Sequence, residues 1–141
     1  MFIRTLAIPA IALSLVATPA PAAPAAVIVK EADVVRQEPP PHGAIGMSTA
    51  YRISDVVPDR TMEFRKRVLH VGAAIGPHPI DHDEVYYVLS GEGDVVSDGV
   101  TTRLTAGMAA YLYKGAVVGI RQTGASELAL IISYPLAKPV P

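Results

Sequence analysis

The feature that most restricts the fold of this chain is the placement of its glycines. All 11 lie at or after Gly43, and they divide the sequence that follows into short runs rich in β-branched and aromatic residues. The runs that read as strands are Tyr51 to Ile53, Met62 to Val71, Val85 to Leu89, Asp94 to Ser97, Val100 to Leu104, Ala109 to Tyr113, Val117 to Arg121 and Leu128 to Tyr134. No segment sustains the 3.6-residue period of an amphipathic helix, and Pro58 interrupts the one candidate, Ile53 to Arg60. Between two runs, Asp98-Gly99 is the dipeptide that a two-residue hairpin favours, because both central residues must take positive φ. Short strands about ten residues apart, with turn signals between them, predict a β-sandwich or barrel. Eight of them fit a small all-β jelly roll, and 141 residues are enough for one such domain.

The opening of the chain is different. Half of all residues are apolar, and the excess over an ordinary domain sits in the first 26, which carry one charge, Arg4. A basic start, an apolar run from Thr5 to Val16 and a string of Ala and Pro have the layout of a secretory signal peptide. Residues 1–22 are read as that signal, with cleavage possible as far as 25, so the product is expected to be exported to the periplasm or beyond the cell. An uncleaved membrane tether is the alternative; after cleavage no stable membrane anchor is expected. Residues 23–46, with Pro39-Pro40-Pro41, read as a Pro-rich arm or linker, and residues 47–141 as the domain. Val27 to Val29 and Val34 to Val35 offer an edge strand, including one exchanged with a neighbouring subunit, which favours a homodimer.

Charge and cysteine content narrow the chemistry. A net charge of -1 lacks the basic face that a nucleic-acid partner requires. With no Cys there is no disulfide framework, no thiolate metal site and no thiol nucleophile. Any metal must then rely on imidazole and carboxylate. These cluster in Gly76-Pro77-His78-Pro79-Ile80-Asp81-His82-Asp83-Glu84, the donor types that a divalent ion takes. Along a straight strand, residues 78, 80, 82 and 84 share a face, and His78 and His82 would stand about 13 Å apart. A shared ion therefore requires a bend, which Pro77 and Pro79 can supply. The competing reading of the same residues is a solvated polar loop leading into the strand at Val85. Arg65-Lys66-Arg67 reads as a basic run that blunts a sheet edge or solvates a face.

The run from Gly76 to Gly93, above all Asp83-Glu84-Val85-Tyr86-Tyr87-Val88-Leu89-Ser90-Gly91-Glu92-Gly93, resembles the first signature of the cupin superfamily. His78, Glu84 and Gly91 match its first His, its Glu and its Gly, and Gly107, Gly115 and Gln122 match the Gly, turn Gly and Asn-like positions of the second signature. The resemblance covers about residues 51–135 and implies a single-domain cupin-like jelly-roll β-barrel. The chain departs from the pattern at Ile80 and Val118, where two ligand histidines are expected, and at Tyr113, where the turn proline is expected.

Two functional readings follow. In the first, the barrel is an exported cupin without a full metal tetrad that binds a small molecule, with Ile80 and Val118 as an apolar floor and Tyr86, Tyr111 and Tyr113 supplying hydroxyls. In the second it is a metal-dependent enzyme of oxygenase, isomerase or lyase type. There His82 replaces the missing imidazole, so that His78, His82 and Glu84 hold one divalent ion, with His70 as a fourth ligand or a partner behind them. No residue is assigned a catalytic step on sequence alone.

Overall fold

The computed structural model describes residues 20–43 and 45–140. Ten strands build the domain: β1 (Val35–Glu38), β2 (Ser48–Tyr51), β3 (Arg60–Leu69), β4 (Ala74–Pro79), β5 (Glu84–Ser90), β6 (Glu92–Ser97), β7 (Val100–Thr105), β8 (Ala109–Leu112), β9 (Val117–Thr123) and β10 (Leu128–Val140). They form two antiparallel sheets, ordered β1-β2-β3-β10-β5-β8 and β4-β9-β6-β7. This is the all-β jelly roll that the turn spacing predicts. Short 3-10 turns at Glu31–Asp33 and Ile53–Val56 are the only helical elements among the described residues. No helix there is long and apolar enough to cross a membrane. Apart from its last three residues, the export segment read in 1–22 lies outside the described residues.

The hairpin at Asp98-Gly99 forms as its sequence demands, with φ of 46 and 80 at those residues and Ser97 facing Val100 across it. Side chains pointing between the sheets make the core, and Leu69, Val88, Val118, Leu128 and Leu130 are fully buried. Each such side chain contributes about 1.5–3 kcal/mol of hydrophobic stabilisation.

One strand lies where the sequence pattern shows none, and another extends the edge strand offered at Val34 to Val35. β4 contains Pro77 and Pro79, which cannot donate to a ladder, and it forms because it is the edge of its sheet, paired only with β9. A register shift between Ile75 and His78 takes up the irregularity. β1 belongs to the stretch read as an arm. It pairs with β2 of its own chain, with Val35 opposite Tyr51, and so forms the edge strand in cis.

The basic run on β3 is corrected by the topology. β3 is an interior strand between β2 and β10, so it blunts no edge. Its alternation sends Glu63, Arg65, Arg67 and Leu69 inward, and Arg67 is 2% exposed.

Candidate functional site

The candidate site lies at one end of the sandwich, where the inward faces change from apolar to polar. Register sets the rows. Leu130 stands opposite Arg67 on one side and Val88 on the other; Ile132 stands between Arg65 and Tyr86; Tyr134 faces Glu63. Moving along β10 from Leu128 to Tyr134, the lining therefore passes from hydrocarbon to guanidinium, hydroxyl and carboxyl groups. The chain leaves the other sheet at Pro79, bends through Asp81–Asp83 and enters β5 at Glu84. That bend, rather than a kink at the prolines, brings His78 from one sheet to the same cavity as Glu84 from the other. The cavity measures ≈ 270 Å³, and His78, His82, Glu84, Tyr86, Arg65 and Tyr134 are among its lining residues.

The arm supplies the roof. Pro41 and His42 line the cavity, and the His42 ring stacks on His78 with centroids 3.6 Å apart and planes 10° from parallel. His42 takes a left-handed φ of 60, and its carbonyl oxygen lies 1.8 Å from where a side chain on Gly76 would begin. Gly76 is thus the residue that lets the arm settle on the barrel. Burial, and then the neighbouring His78, lower the pKa of His42.

On the opposite side, His82 stacks on Tyr134 with centroids 4.2 Å apart. Its Nδ1 shares a hydrogen bond of 2.8 Å with the exposed Asp81, and its Nε2 lies 3.7 Å from Glu84 Oε2. The pKa of Glu84 is raised because burial disfavours its charged form, against the pull of His82, His78 and Arg65. Tyr86 is 1% exposed, and burial pushes its phenol well above the ordinary range. Tyr134 is raised too, first by burial, with Arg65 opposing.

The guanidiniums are held from behind. Arg67 Nη1 donates to Ser48 Oγ at 2.7 Å and Nη2 to Glu38 Oε1 at 3.0 Å, while its buried Nε has no partner. Arg65 donates from Nε and Nη2 to Glu63 Oε1 at 3.2 and 2.8 Å, and Glu63 also accepts from the Ser54 hydroxyl at 2.6 Å.

Of the residues singled out from sequence, the structure gathers His78, His82, Glu84 and Tyr86 in one cavity. It does not bring the others there. His70 follows the inward Leu69, points away and lies 3.0 Å from Thr49 Oγ1. Tyr111 is outward because its neighbour Ala110 is the residue opposite Tyr86; its hydroxyl donates to Asp83 Oδ2 at 2.6 Å. Tyr113 follows β8 and is 70% exposed. Val118 stands opposite His78 but is fully buried in the core, whereas Ile80 lines the cavity. Gln122 lies outside the cavity, accepting from Gly72 N, 50 positions earlier, and donating to the carbonyls of Thr123, Gly124 and Ser126. Arg65, Arg67, Tyr134 and His42 are the lining residues that sequence reasoning missed. The phase of Leu69 on β3, carried back by twos, is the signal that places both arginines inside.

The donors do not fit a preformed metal centre. Among the described residues no three His, Asp or Glu side chains are grouped to hold an ion. His78 stacks on His42 and its Nδ1 bonds to the Gly76 carbonyl at 2.9 Å, leaving Nε2 as its available donor, and Ile80 and Val118 supply hydrocarbon where imidazoles are expected.

A two-sheet jelly roll with a polar cavity at one end of its core is the architecture of a small cupin barrel. A family model described as a cupin domain matches residues 66–134, and the chain belongs to the cupin superfamily. No curated protein matches it. Among solved structures it is similar to a predicted oxalate decarboxylase from Thermotoga maritima, at 21% identity and a TM-score of 0.69, covering 78% of this chain and 99% of that one. The polyketide cyclase RemF from Streptomyces resistomycificus is similar at 18% identity and a TM-score of 0.66, covering 82% of each chain. The protein TT1209 from Thermus thermophilus aligns at 26% identity and a TM-score of 0.54, covering 74% of this chain and 86% of that one.

Proposed function

We propose that this protein is an exported cupin that binds a small molecule in the cavity between its sheets. The observation that carries the reading is the convergence of His78, Glu84, Tyr86 and Arg65 from three strands on one cavity of ≈ 270 Å³ whose deeper wall is apolar. A few placed polar groups in an otherwise hydrophobic concavity suit a small ligand. The size restricts that ligand to a compact molecule. Binding is tested by titrating a library of small metabolites against the mature protein by NMR, with Ile132→Trp to fill the cavity. Ligands whose shifts map to β3, β5 and β10 and disappear in the variant support the reading; ligands that bind equally to the variant overturn it.

A metal-dependent enzyme acting through His78, His82 and Glu84 is the second reading. It is favoured by one contact, His82 Nε2 beside Glu84 Oε2 with Asp81 orienting the other ring nitrogen. Structural relatives described as a predicted oxalate decarboxylase and a polyketide cyclase supply the analogy for an enzymatic role. The first reading is preferred because no three donors among the described residues are grouped to hold an ion, and Ile80 and Val118 stand where two imidazoles are expected. The protein is further proposed to work as a homodimer, paired through the outer face of its larger sheet, where Met62, Phe64, Tyr87 and Leu89 are exposed.

A further inference from the structure

The cavity wall contributed by β3 carries two guanidiniums, and their carboxylate partners behind the wall are shared with two further arginines. Arg67 and Arg52 share the carboxylate of Glu38, Arg65 and Arg60 share that of Glu63, and Asp55 lies between Arg52 and Arg60. Four guanidiniums are thus served by three carboxylates. Two of the four, Arg65 and Arg67, line the cavity. Arg67 is 2% exposed and its Nε has no hydrogen-bond partner, an uncommon arrangement for a buried cation. Arg65 is held by Glu63 through Nε and Nη2, and its charge acts on Glu84 and Tyr134, which line the same cavity from β5 and β10. The buried carboxyl that shares the cavity with them is Glu84, on β5 of the same sheet with β10 between, beside His82.

These observations meet a cavity in which, among the described residues, no three donors are grouped to hold an ion. In a metal-binding barrel the ion would supply the positive charge; here Ile80 and Val118 stand at two of the positions where imidazoles would hold it. We infer that the cavity is a receptor for a small organic carboxylate whose charge is met by Arg65, with Arg67 behind it, and not by a divalent ion. This rests on the reading that the cavity binds a small molecule. A guanidinium fork matches a carboxylate edge, and a pair partly enclosed by protein is stronger than one at an open surface. Ile75, Ile80 and Ile132 complete the lining, so the ligand carries a compact hydrocarbon body behind its anionic head.

The test compares benzoate with benzamide and butyrate with butyramide, by NMR titration of the mature protein in EDTA and again with Mn2+ or Zn2+. The acids are expected to bind in EDTA at least tenfold more tightly than the amides. Arg65→Gln should weaken the acids about tenfold and leave the amides unchanged, Arg65→Lys should retain part of the difference, and the surface variant Arg103→Gln should retain all of it. The acid-to-amide ratio of the unmodified protein decides the matter even where a variant folds poorly. Equal binding of acid and amide at the cavity overturns the inference while leaving the small-molecule reading in place, as does acid binding that requires added metal. Acids and amides that both fail to bind overturn the two together.

Discussion

The carboxylate of Glu38 lies 3.0 Å from Nη2 of Arg67, a residue 29 positions further along the chain and almost wholly buried. The same carboxylate receives Arg52 at 2.8 Å. One side chain thus ties the N-terminal arm to the charged wall of the cavity and makes β1 part of the barrel.

Removing Glu38 leaves Arg67 buried beside an empty position. Glu38→Ala is expected to cost about 3 kcal/mol, in the range for breaking a buried ion pair from one side. Burial raises the pKa of Glu38, but its bonds to Arg52 and Arg67 outweigh that and hold it below the ordinary value. A depressed acid stabilises the fold above its unfolded pKa, and the contribution is lost as pH falls through the folded value. Chemical denaturation from pH 7 downward should therefore show the difference between wild type and Glu38→Gln shrinking in acid. A difference independent of pH would remove the ion pair as its cause.

Gly76 is predicted to admit no side chain. A methyl group there meets the His42 carbonyl oxygen at 1.8 Å, backbone that cannot rotate aside. Gly76→Ala should displace residues 41–43 from His78 and cost about 1–3 kcal/mol. His42→Ala removes the stack without the clash and should cost less. The His78 ring resonances, shifted by the stacked imidazole in the wild type, report both events; unchanged resonances in Gly76→Ala would show that the arm is seated in some other way.

Much of the fold was legible because its turns are chemically marked. Asp98-Gly99 specifies a hairpin by itself, and the runs from Val85 and from Leu128 alternate as half-buried strands must. β1 was legible only at Val34 to Val35, because Arg36-Gln37-Glu38 has little apolar pattern; what holds its far end is a contact 29 residues away. β4 escaped because its prolines argue against any strand except one at an edge. The site was legible where proximity in sequence became proximity in space, as for His78, His82 and Glu84. Tyr86 and Tyr111 have the same side chain and opposite fates, since the pairing of Tyr86 with Ala110 turns Tyr111 outward. The two arginines were misplaced for a related reason: a basic run on a strand tells nothing of whether that strand is an edge.

Elemental analysis of protein purified without a His-tag separates the two functional readings. With hydrocarbon at Ile80 and Val118 and no three donors grouped among the described residues, the metal content is expected to be well below one equivalent and unaltered by His78→Ala. One equivalent of a divalent ion that falls sharply in His78→Ala would establish the metal-dependent reading instead.

Export and pairing are testable together. Intact mass of the protein recovered from a periplasmic fraction should correspond to a chain beginning at residue 23 or 26, and an unprocessed chain in the cytoplasm would oppose export. Phe64→Lys with Tyr87→Lys places charge on the outer sheet face and should convert a dimer to a monomer in gel filtration. An unchanged elution volume would move the interface off that face.

Glu84 gives the last expectation, and its sign is opposite to that of Glu38. Burial raises its pKa in the folded protein above the unfolded value, so the native state holds its proton more firmly than the unfolded chain does. The fold is then favoured at pH values below the unfolded pKa, and that advantage is lost as pH rises through the folded value. Glu84→Gln keeps the shape and removes the titration. Relative to wild type it should gain stability at neutral pH and lose that gain in mild acid, followed by urea denaturation at each pH. An equal effect at both pH values would mean that the carboxylate is already compensated in the cavity, by His82 and Arg65, and that burial is not what sets its proton affinity.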